Sequence, residues 1–250
     1  MGGIHLSRKG KHSRLRPLPG IEAMEAAIKR ARGSGRPVYF IPGSEDLLNV
    51  QTVAGLGVLE QVVRQTTRQE VKLKAPQFHS LVMVAADDTV QQAHDAVGSP
   101  ETYDPDDIFY VSDEQFGYVA GVGGMMTREQ PVACFYFGSF FAESLALAEV
   151  GQTIGAAQIA GTAEWAQIPF LLTACDHVLI GEEMFAATAY LSGDPRQLGA
   201  LQGQDFGKLL AIGAIGLGCL LATLAALTGS PLLVTLRDGL QSVFEAGIRR

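Results

Sequence analysis

Acidic side chains follow several of the strands that the sequence predicts, and their placement is the feature most suggestive of chemistry. The four residues, each just after a predicted strand, are Glu45, Asp46, Glu143 and Asp176. Because the carboxyl ends of parallel strands meet at one edge of a sheet, we expect these carboxylates to gather there. Such a group offers the oxygen ligands that a hard divalent cation prefers, or an acid and base pair.

The same positions have a second, purely structural explanation. Acidic and hydroxyl side chains at the start of a helix satisfy free backbone N–H groups and complement the helix dipole. Both interpretations stay open from the sequence. No cofactor can be named: Gly55 and Gly57 form a GxG pattern inside a predicted helix, whereas a pyrophosphate site needs it in the first strand-to-helix turn.

The elements that would position these residues alternate along the chain. Strands are predicted at 37–41, 71–74, 108–111, 132–137 and 168–173, with an extra strand at 178–180. Helices are predicted at 45–69 and 79–97, and from about 113, 140 and 182 onward. This alternation predicts a Rossmann-like α/β domain over residues 37–207, with a mainly parallel sheet and helices on both faces.

A long apolar segment follows the predicted domain. The stretch from Leu209 to Leu227 contains no charged residue, and its 19 residues would give a helix of about 29 Å, close to the thickness of a bilayer core. We therefore predict a transmembrane helix over 208–236 and a short tail over 237–250. The alternative is a helix buried at the centre of a soluble oligomer.

Small side chains recur every fourth residue along this apolar helix. They are Ala214, Gly218, Ala222 and Ala226. In a bilayer such a face lets two helix backbones approach closely, so the pattern predicts helix association and a homo-oligomer. A single anchor that happens to be rich in alanine is the alternative.

The N-terminal segment is strongly basic. Residues 1–36 carry a net charge of +7, against −14 for the remainder. A short amphipathic helix is predicted where Ile21, Met24 and Ile28 recur. Contact with anionic membrane lipid, or with the acidic surface of its own or a neighbouring domain, is expected from five cations of this arm: Arg8, Lys9, Lys11, Arg14 and Arg16. A solvated tail is the alternative. We expect no nucleic-acid partner, because the arm has no aromatic residue and the rest of the chain is acidic.

The composition excludes some classes of protein and indicates a location. With 47% hydrophobic and 18% charged residues the chain is not intrinsically disordered. Three cysteines without metal or disulfide spacing favour a reducing compartment. Because the first residues do not resemble a secretory leader, we expect a single-pass protein of the cell membrane with its α/β domain on the cytoplasmic side.

Five segments carry a resemblance to a known family: 36–43, 103–107, 137–144, 158–163 and 174–183. Over about residues 36–195 the chain resembles an uncharacterised prokaryotic membrane-protein family, a domain of unknown function. The resemblance implies membrane association and supplies no activity and no catalytic residues.

Two functions from different classes are consistent with these patterns. The first, which the sequence favours, is a membrane-anchored scaffold without enzymatic activity that assembles into a homo-oligomer. The alternative is a membrane-bound, metal-dependent hydrolase or transferase that uses the carboxylates after the strands. A pore made by a ring of anchors is a third option, but the apolar helix offers no polar lining.

Overall fold

A computed structural model of the chain describes residues 18–228. These residues belong to two units, an α/β unit that ends at Asp194 and a C-terminal helix that begins at Pro195. The predicted boundary between domain and anchor, at residue 208, thus falls inside the long helix. The arm cations from Arg8 to Arg16 and the segment 229–250, which includes the predicted tail, lie outside the described residues.

The elements of the α/β unit alternate as the sequence predicts. The strands are β1 Val38–Pro42, β2 Leu73–Gln77, β3 Ile108–Tyr110, β4 Ala133–Phe137, β5 Ala157–Thr162 and β6 His177–Ile180. The helices are α1 Pro19–Ala31, α2 Val50–Arg68, α3 Ser80–Val97, α4 Gln115–Glu129, α5 Glu143–Thr153, α6 Ile168–Ala174 and α7 Glu182–Ser192. Two 3₁₀ turns, Pro100–Thr102 and Pro105–Asp107, precede β3.

The six strands form one parallel sheet. Their order is β3-β2-β1-β4-β5-β6, and every neighbouring pair is parallel. This is the strand order of the doubly wound Rossmann architecture. The predicted fold class is therefore confirmed.

Helices cover both faces of the sheet, because successive strand residues point to opposite sides. On one side Val38 and Phe40 pack in a cluster with residues of α1, α2, α3 and α7. On the other, Tyr39 and Ile41 pack in a second cluster with residues of α4, α5 and α6. The central strands β1 and β4 are buried along their whole length, which explains their almost continuously apolar sequences.

The helix α1 belongs to the core of this unit. The amphipathic helix expected in the basic arm is present, and its apolar face, including Met24 and Ile28, is buried against the sheet. Residues 19–31 thus lie against protein, and the lipid or partner contact predicted for the arm concerns residues 1–17.

One predicted strand is wrong and one real strand was not predicted. The segment 168–173 is helix α6, and the sheet instead takes β5, Ala157–Thr162. Pro169 occupies the first turn of α6, where its fixed φ and missing N–H are compatible with a helix. The strand β5 is rich in small residues, with Ala160 and Gly161, and lacks the β-branched run that marks a strand.

The C-terminal helix, α8, spans Pro195–Thr228. It begins 13 residues before the predicted start at 208. Among the described residues it is the one helix long and apolar enough to cross a membrane. The large side chains along it, such as Leu209, Ile212 and Leu220, are exposed in the isolated chain.

Candidate functional site

The point where the sheet changes winding direction lies between β1 and β4. From β1 the chain proceeds to β2 on one side, and from β4 it proceeds to β5 on the other. In open α/β sheets the crevice beyond the carboxyl ends of two such strands is the usual place for a ligand. The loops that follow β1 and β4 are therefore the first place to look for a site.

These two loops meet backbone to backbone. The Ser44 N–H donates to the carbonyl oxygen of Ser139 at 2.9 Å. A Cβ added to Gly43 would lie 2.2 Å from that same oxygen, and one added to Gly138 would lie 2.4 Å from the Gly43 nitrogen. Only glycine permits this approach, so the loops themselves occupy the space between the two strand ends.

A buried carboxylate joins the loops on the other side of this contact. Glu143, 2% exposed, opens α5 and accepts three hydrogen bonds. The Ser44 hydroxyl donates to Oε1 at 2.5 Å, and the Phe141 N–H donates to the same oxygen at 2.8 Å. The side-chain amide of Gln115 donates to Oε2 at 2.5 Å. These donors replace the water that a buried charge would otherwise need.

The hydrogen bonds extend to the loop that follows β2. Nε2 of His79 lies 3.1 Å from the carbonyl oxygen of Ser44, which requires this nitrogen to carry the proton and donate. Groups that follow β1, β2, β3 and β4 are thereby connected through Ser44 and Glu143. Both oxygens of the Glu143 carboxylate already have donors. The hydrogen bonds around Ser44 and Glu143 therefore fix the positions of the four loops.

A second set of hydrogen bonds anchors the loop after β5. Oε1 of Gln51, on α2, accepts from the Ala163 N–H at 2.7 Å and from the Thr162 hydroxyl at 3.3 Å. On the other side, the Ser144 hydroxyl donates to Oε1 of Gln167 at 2.7 Å. Buried polar contacts therefore hold the loops at the carboxyl ends of the central strands. Satisfied networks of this kind make the surrounding structure rigid.

The four carboxylates predicted to gather are only partly brought together. Asp46 Oδ1 accepts from the Leu48 N–H at 2.9 Å within its own loop, and Glu45 beside it is half-buried. Asp176 precedes β6, at the opposite edge of the sheet, where its Oδ2 accepts from the Gln158 N–H at 2.8 Å. The cause is the segment 168–173, which is a helix and not a strand. Within residues 18–228 no three His, Cys, Asp or Glu side chains are grouped to hold a metal ion.

The thiol next to Asp176 is not activated. Burial and the neighbouring Asp176 raise the pKa of Cys175 to about 12, so its thiolate is scarce at neutral pH. The cavity at this amino edge, about 770 Å³, is lined by Arg30, Arg36 and His177 as well as by Cys175. Arg36 is already engaged there, because its guanidinium donates to the backbone oxygens of Gln130 and Pro131.

The amino edge also contains an ion pair that links three elements. Lys74 on β2 donates to Glu129 Oε1 at 2.7 Å, and the Tyr39 hydroxyl donates to Oε2 at 2.9 Å. Burial raises the pKa of Glu129, but the hydrogen bonds from Lys74 and Tyr39 outweigh it, so this pKa lies below its usual value. The pKa of Tyr39 is raised, by burial first and then by Glu129.

Sequence reasoning found Glu143 but missed its partners. Gln115 is an amide, which is rarely a metal ligand or a nucleophile. His79 is of a type that can bind a metal or act as a base, but no His, Cys, Asp or Glu stands beside it in the sequence to mark it as part of a site. One usable signal is their position in the chain: His79 is two residues and Gln115 is five residues after the end of a strand. Side chains that follow different strands meet at this edge of the sheet.

Comparison with known proteins supports the resemblance seen in the sequence and widens it. The family described as "Domain of unknown function (DUF6754)" matches residues 1–233, which include the arm, the α/β unit and the whole of α8. No curated protein and no solved structure matches the chain. Because the match covers most of its length, the chain belongs to the DUF6754 family, a domain of unknown function.

Proposed function

We propose that this protein is a membrane-anchored α/β scaffold that assembles into a homo-oligomer. The observation that carries the proposal is α8, a helix of 34 residues whose large apolar side chains are mostly exposed between Phe206 and Leu227. Leaving so much apolar surface in water is unfavourable, and a lipid environment removes the cost. The proposed location is the cell membrane, with a single span.

The face of α8 with small side chains supports self-assembly. Ala214, Gly218, Ala222 and Ala226 follow one another at four-residue intervals, which keeps them on one side of the helix. Close backbone contact along this side would let α8 pair with a copy of itself. The proposed partners are thus membrane lipid and further copies of the chain.

The α/β unit is proposed to lie on the cytoplasmic side. The three cysteines are free thiols, and Cys134 is buried while Cys175 is half-buried. This agrees with a reducing compartment, where structural disulfides are rare. A scaffold role is favoured over catalysis because the buried Glu143 already has donors on both oxygens.

The number of chains in the assembly tests the proposal directly. The full chain is placed in lipid nanodiscs or mild detergent, and its mass is measured by native mass spectrometry for the wild type and for Gly218→Leu. We expect a defined oligomer for the wild type and a shift towards monomer for the variant, because a leucine holds the helices apart.

Gly213→Leu is the matched control. Gly213 is five residues from Gly218, about 140° around the helix. Apart from its chain neighbours and the nearby backbone of its own helix, no atom lies within 4 Å of the place its Cβ would occupy. This variant should keep the oligomer. A monomeric wild type, or equal losses in both variants, would contradict assembly through the small-residue face.

The anchor is tested separately with alkaline extraction of membranes that contain the full chain. We expect the protein to stay in the membrane pellet, and Ile215→Arg to move a large fraction into the soluble fraction, because a charge at the centre of a span is costly. Recovery of the wild-type chain in the supernatant would refute the anchor.

A further inference from the structure

The exposed apolar side chains of the α/β unit are concentrated at one edge of its sheet. We call this surface the carboxyl edge and define it as residues 43–53, 78–83, 110–118, 138–146, 163–171 and 180–185, which surround the carboxyl ends of the six strands. Of 13 large hydrophobic residues exposed in the described α/β unit, 11 belong to it. The most exposed are Leu48 at 91%, Trp165 at 82% and Phe116 at 79%. Such clustering marks an interaction surface.

The charge of the carboxyl edge has a single sign. Its segments contain eight acidic residues and no lysine or arginine. One acidic residue, Glu143, is buried in the hydrogen-bond network, and those nearer the surface include Asp46, Asp113 and Glu114. The occupant must therefore present cations together with apolar side chains. An anionic lipid surface and a second carboxyl edge are both disfavoured, because each would bring negative charge against negative charge.

The chain itself contains a segment with the required chemistry. Residues 1–17 contain five cations, Arg8, Lys9, Lys11, Arg14 and Arg16, and no acidic residue. Among these cations stands Leu15, and Ile4 and Leu6 precede them. The cations span nine residues, about 30 Å when extended, and six parallel strands are about 24 Å across. The lengths match.

The covalent attachment of the segment favours a neighbouring chain over its own. The arm continues into α1, whose first turn packs against Leu179 of β6, at one end of the sheet. In their own chain, Arg16 and Arg14 are held near β6, because they are only two and four residues from Leu18. Only the cations from Arg8 to Lys11 can then extend to the far strands β2 and β3, where Leu81 and Phe116 lie. An arm from another chain has no such restriction.

We infer that the carboxyl edge is a docking surface for the basic N-terminal segment, residues 4–17, of a second copy of this chain. This inference rests on the proposed homo-oligomer and adds a contact to it outside the membrane. Each arm would link one copy to the next, with its cations against the acidic loops and its apolar residues against Trp165 and Phe116. The contact should weaken as salt concentration rises.

Photo-crosslinking between two distinguishable copies tests this contact. One full-length copy has Leu15→p-benzoylphenylalanine, and the other is unlabelled but epitope-tagged; both are reconstituted in nanodiscs of neutral lipid. We expect a cross-link between the copies that maps to the carboxyl edge. We also expect it to fall at least about fivefold when the tagged copy has Glu45→Gln, Asp46→Asn, Asp113→Asn and Glu183→Gln, since cations contribute about tenfold or more at such contacts.

A control variant removes the same charge elsewhere. Asp88→Asn, Asp95→Asn, Glu101→Gln and Glu149→Gln lie on exposed positions outside the carboxyl edge and should leave the cross-link unchanged. Cross-links confined to the labelled chain, to lipid, or to other surfaces would overturn the inference. Equal yields in the edge variant and the control variant would do the same.

Native mass spectrometry of the same samples separates this inference from the proposed function. An oligomer without carboxyl-edge cross-links refutes the docking surface and leaves the assembly standing. If the wild type is monomeric, the assembly fails, and a synthetic peptide of residues 4–17 then decides the docking surface. Binding of this peptide to the full chain that is lost in the edge variant supports the surface, and equal binding to both overturns it.

Discussion

The two edges of the sheet differ in where their polar and apolar groups are directed. At the amino edge two ion pairs join elements of the unit: Lys74 bonds to Glu129, and Lys72 lies 3.0 Å from Asp107. At the carboxyl edge the central polar groups form an internal network around Glu143, while the periphery presents acidic and large apolar side chains to the outside. The contacts of the amino edge therefore stabilise the unit itself, whereas the outer layer of the carboxyl edge is the surface that we propose to bind a partner.

The largest effect is expected where the loops after β1 and β4 cross. Gly43→Ala would put a Cβ 2.2 Å from the backbone oxygen of Ser139. Because this oxygen belongs to the backbone, no change of side-chain rotamer can relieve the clash. We expect a loss of more than about 3 kcal/mol in the free energy of unfolding. Urea unfolding of the full chain in detergent, followed by far-UV circular dichroism, measures it.

Gly124→Ala is the control for this substitution. Gly124 lies in α4, and the nearest atom to an added Cβ is the flexible end of Arg128 at 3.3 Å. Because alanine is a better helix former than glycine, this change should be neutral or stabilising by up to about 1 kcal/mol. Similar destabilisation in both variants would show that the loop crossing has no special role.

The next effect concerns the buried carboxylate of the carboxyl edge. Glu143→Ala removes the acceptor for Ser44, Gln115 and the Phe141 N–H, and buried donors without acceptors cost about 1–3 kcal/mol each. Because the Gln115 and Phe141 donors are only partly buried, solvent compensates for part of this loss, and we expect a total of about 2–3 kcal/mol, measured by the same unfolding experiment. Glu149→Ala, at an exposed position of the same helix, should change stability by less than about 0.5 kcal/mol.

A smaller effect is expected from the ion pair of the amino edge. Glu129→Gln weakens the contacts with Lys74 and Tyr39, and since Glu129 is about 30% exposed we expect a loss near 1 kcal/mol at neutral pH. The pKa of Glu129 is lower in the folded chain than its unfolded value of about 4.3. Its contribution is therefore complete above the unfolded value and is lost as pH falls through the folded one.

Unfolding free energies of wild type and Glu129→Gln between pH 7 and pH 3 measure this dependence. The two curves should run parallel above about pH 5 and converge in more acidic solution, because the pKa of the carboxylate is lowered. A constant difference down to pH 3 would contradict the ionic origin of the stabilisation.

The fold could be predicted from the sequence because most strands contain strong local signals. The segments of β1 and β4 are short, apolar and aromatic, and clear helical periodicity follows each. The strand β5 lacks this signal, because its small residues are suited to tight packing: a Cβ on Gly161 would lie 2.5 Å from the Phe137 ring. That requirement comes from a neighbouring strand and is invisible in the local sequence.

The candidate site could be predicted only in part, for a similar reason. Glu143 was singled out as a carboxylate after a strand, but its role depends on Ser44, 99 positions away, and on Gln115, 28 positions away. One wrongly assigned strand also moved Asp176 to the wrong edge. The hydrophobic pattern of the sequence predicts that a residue lies at the end of a strand. Its hydrogen-bond partners depend on how loops from other parts of the chain fold over that end, which the local sequence does not show.

The smallest effect on stability is expected at the outer layer of the carboxyl edge. Trp165 and Phe116 are 82% and 79% exposed, so Trp165→Ser and Phe116→Ser remove little buried surface. We expect each to change the free energy of unfolding by less than about 0.5 kcal/mol.

Phe135→Ser at a fully buried position is the contrasting variant, with a loss of about 3 kcal/mol or more. If the exposed aromatic residues proved as important for stability as the buried one, the carboxyl edge would be part of the packed core of the unit. A negligible effect would show that the stability of the unit does not depend on these aromatic residues, as the proposed contact outside the unit requires.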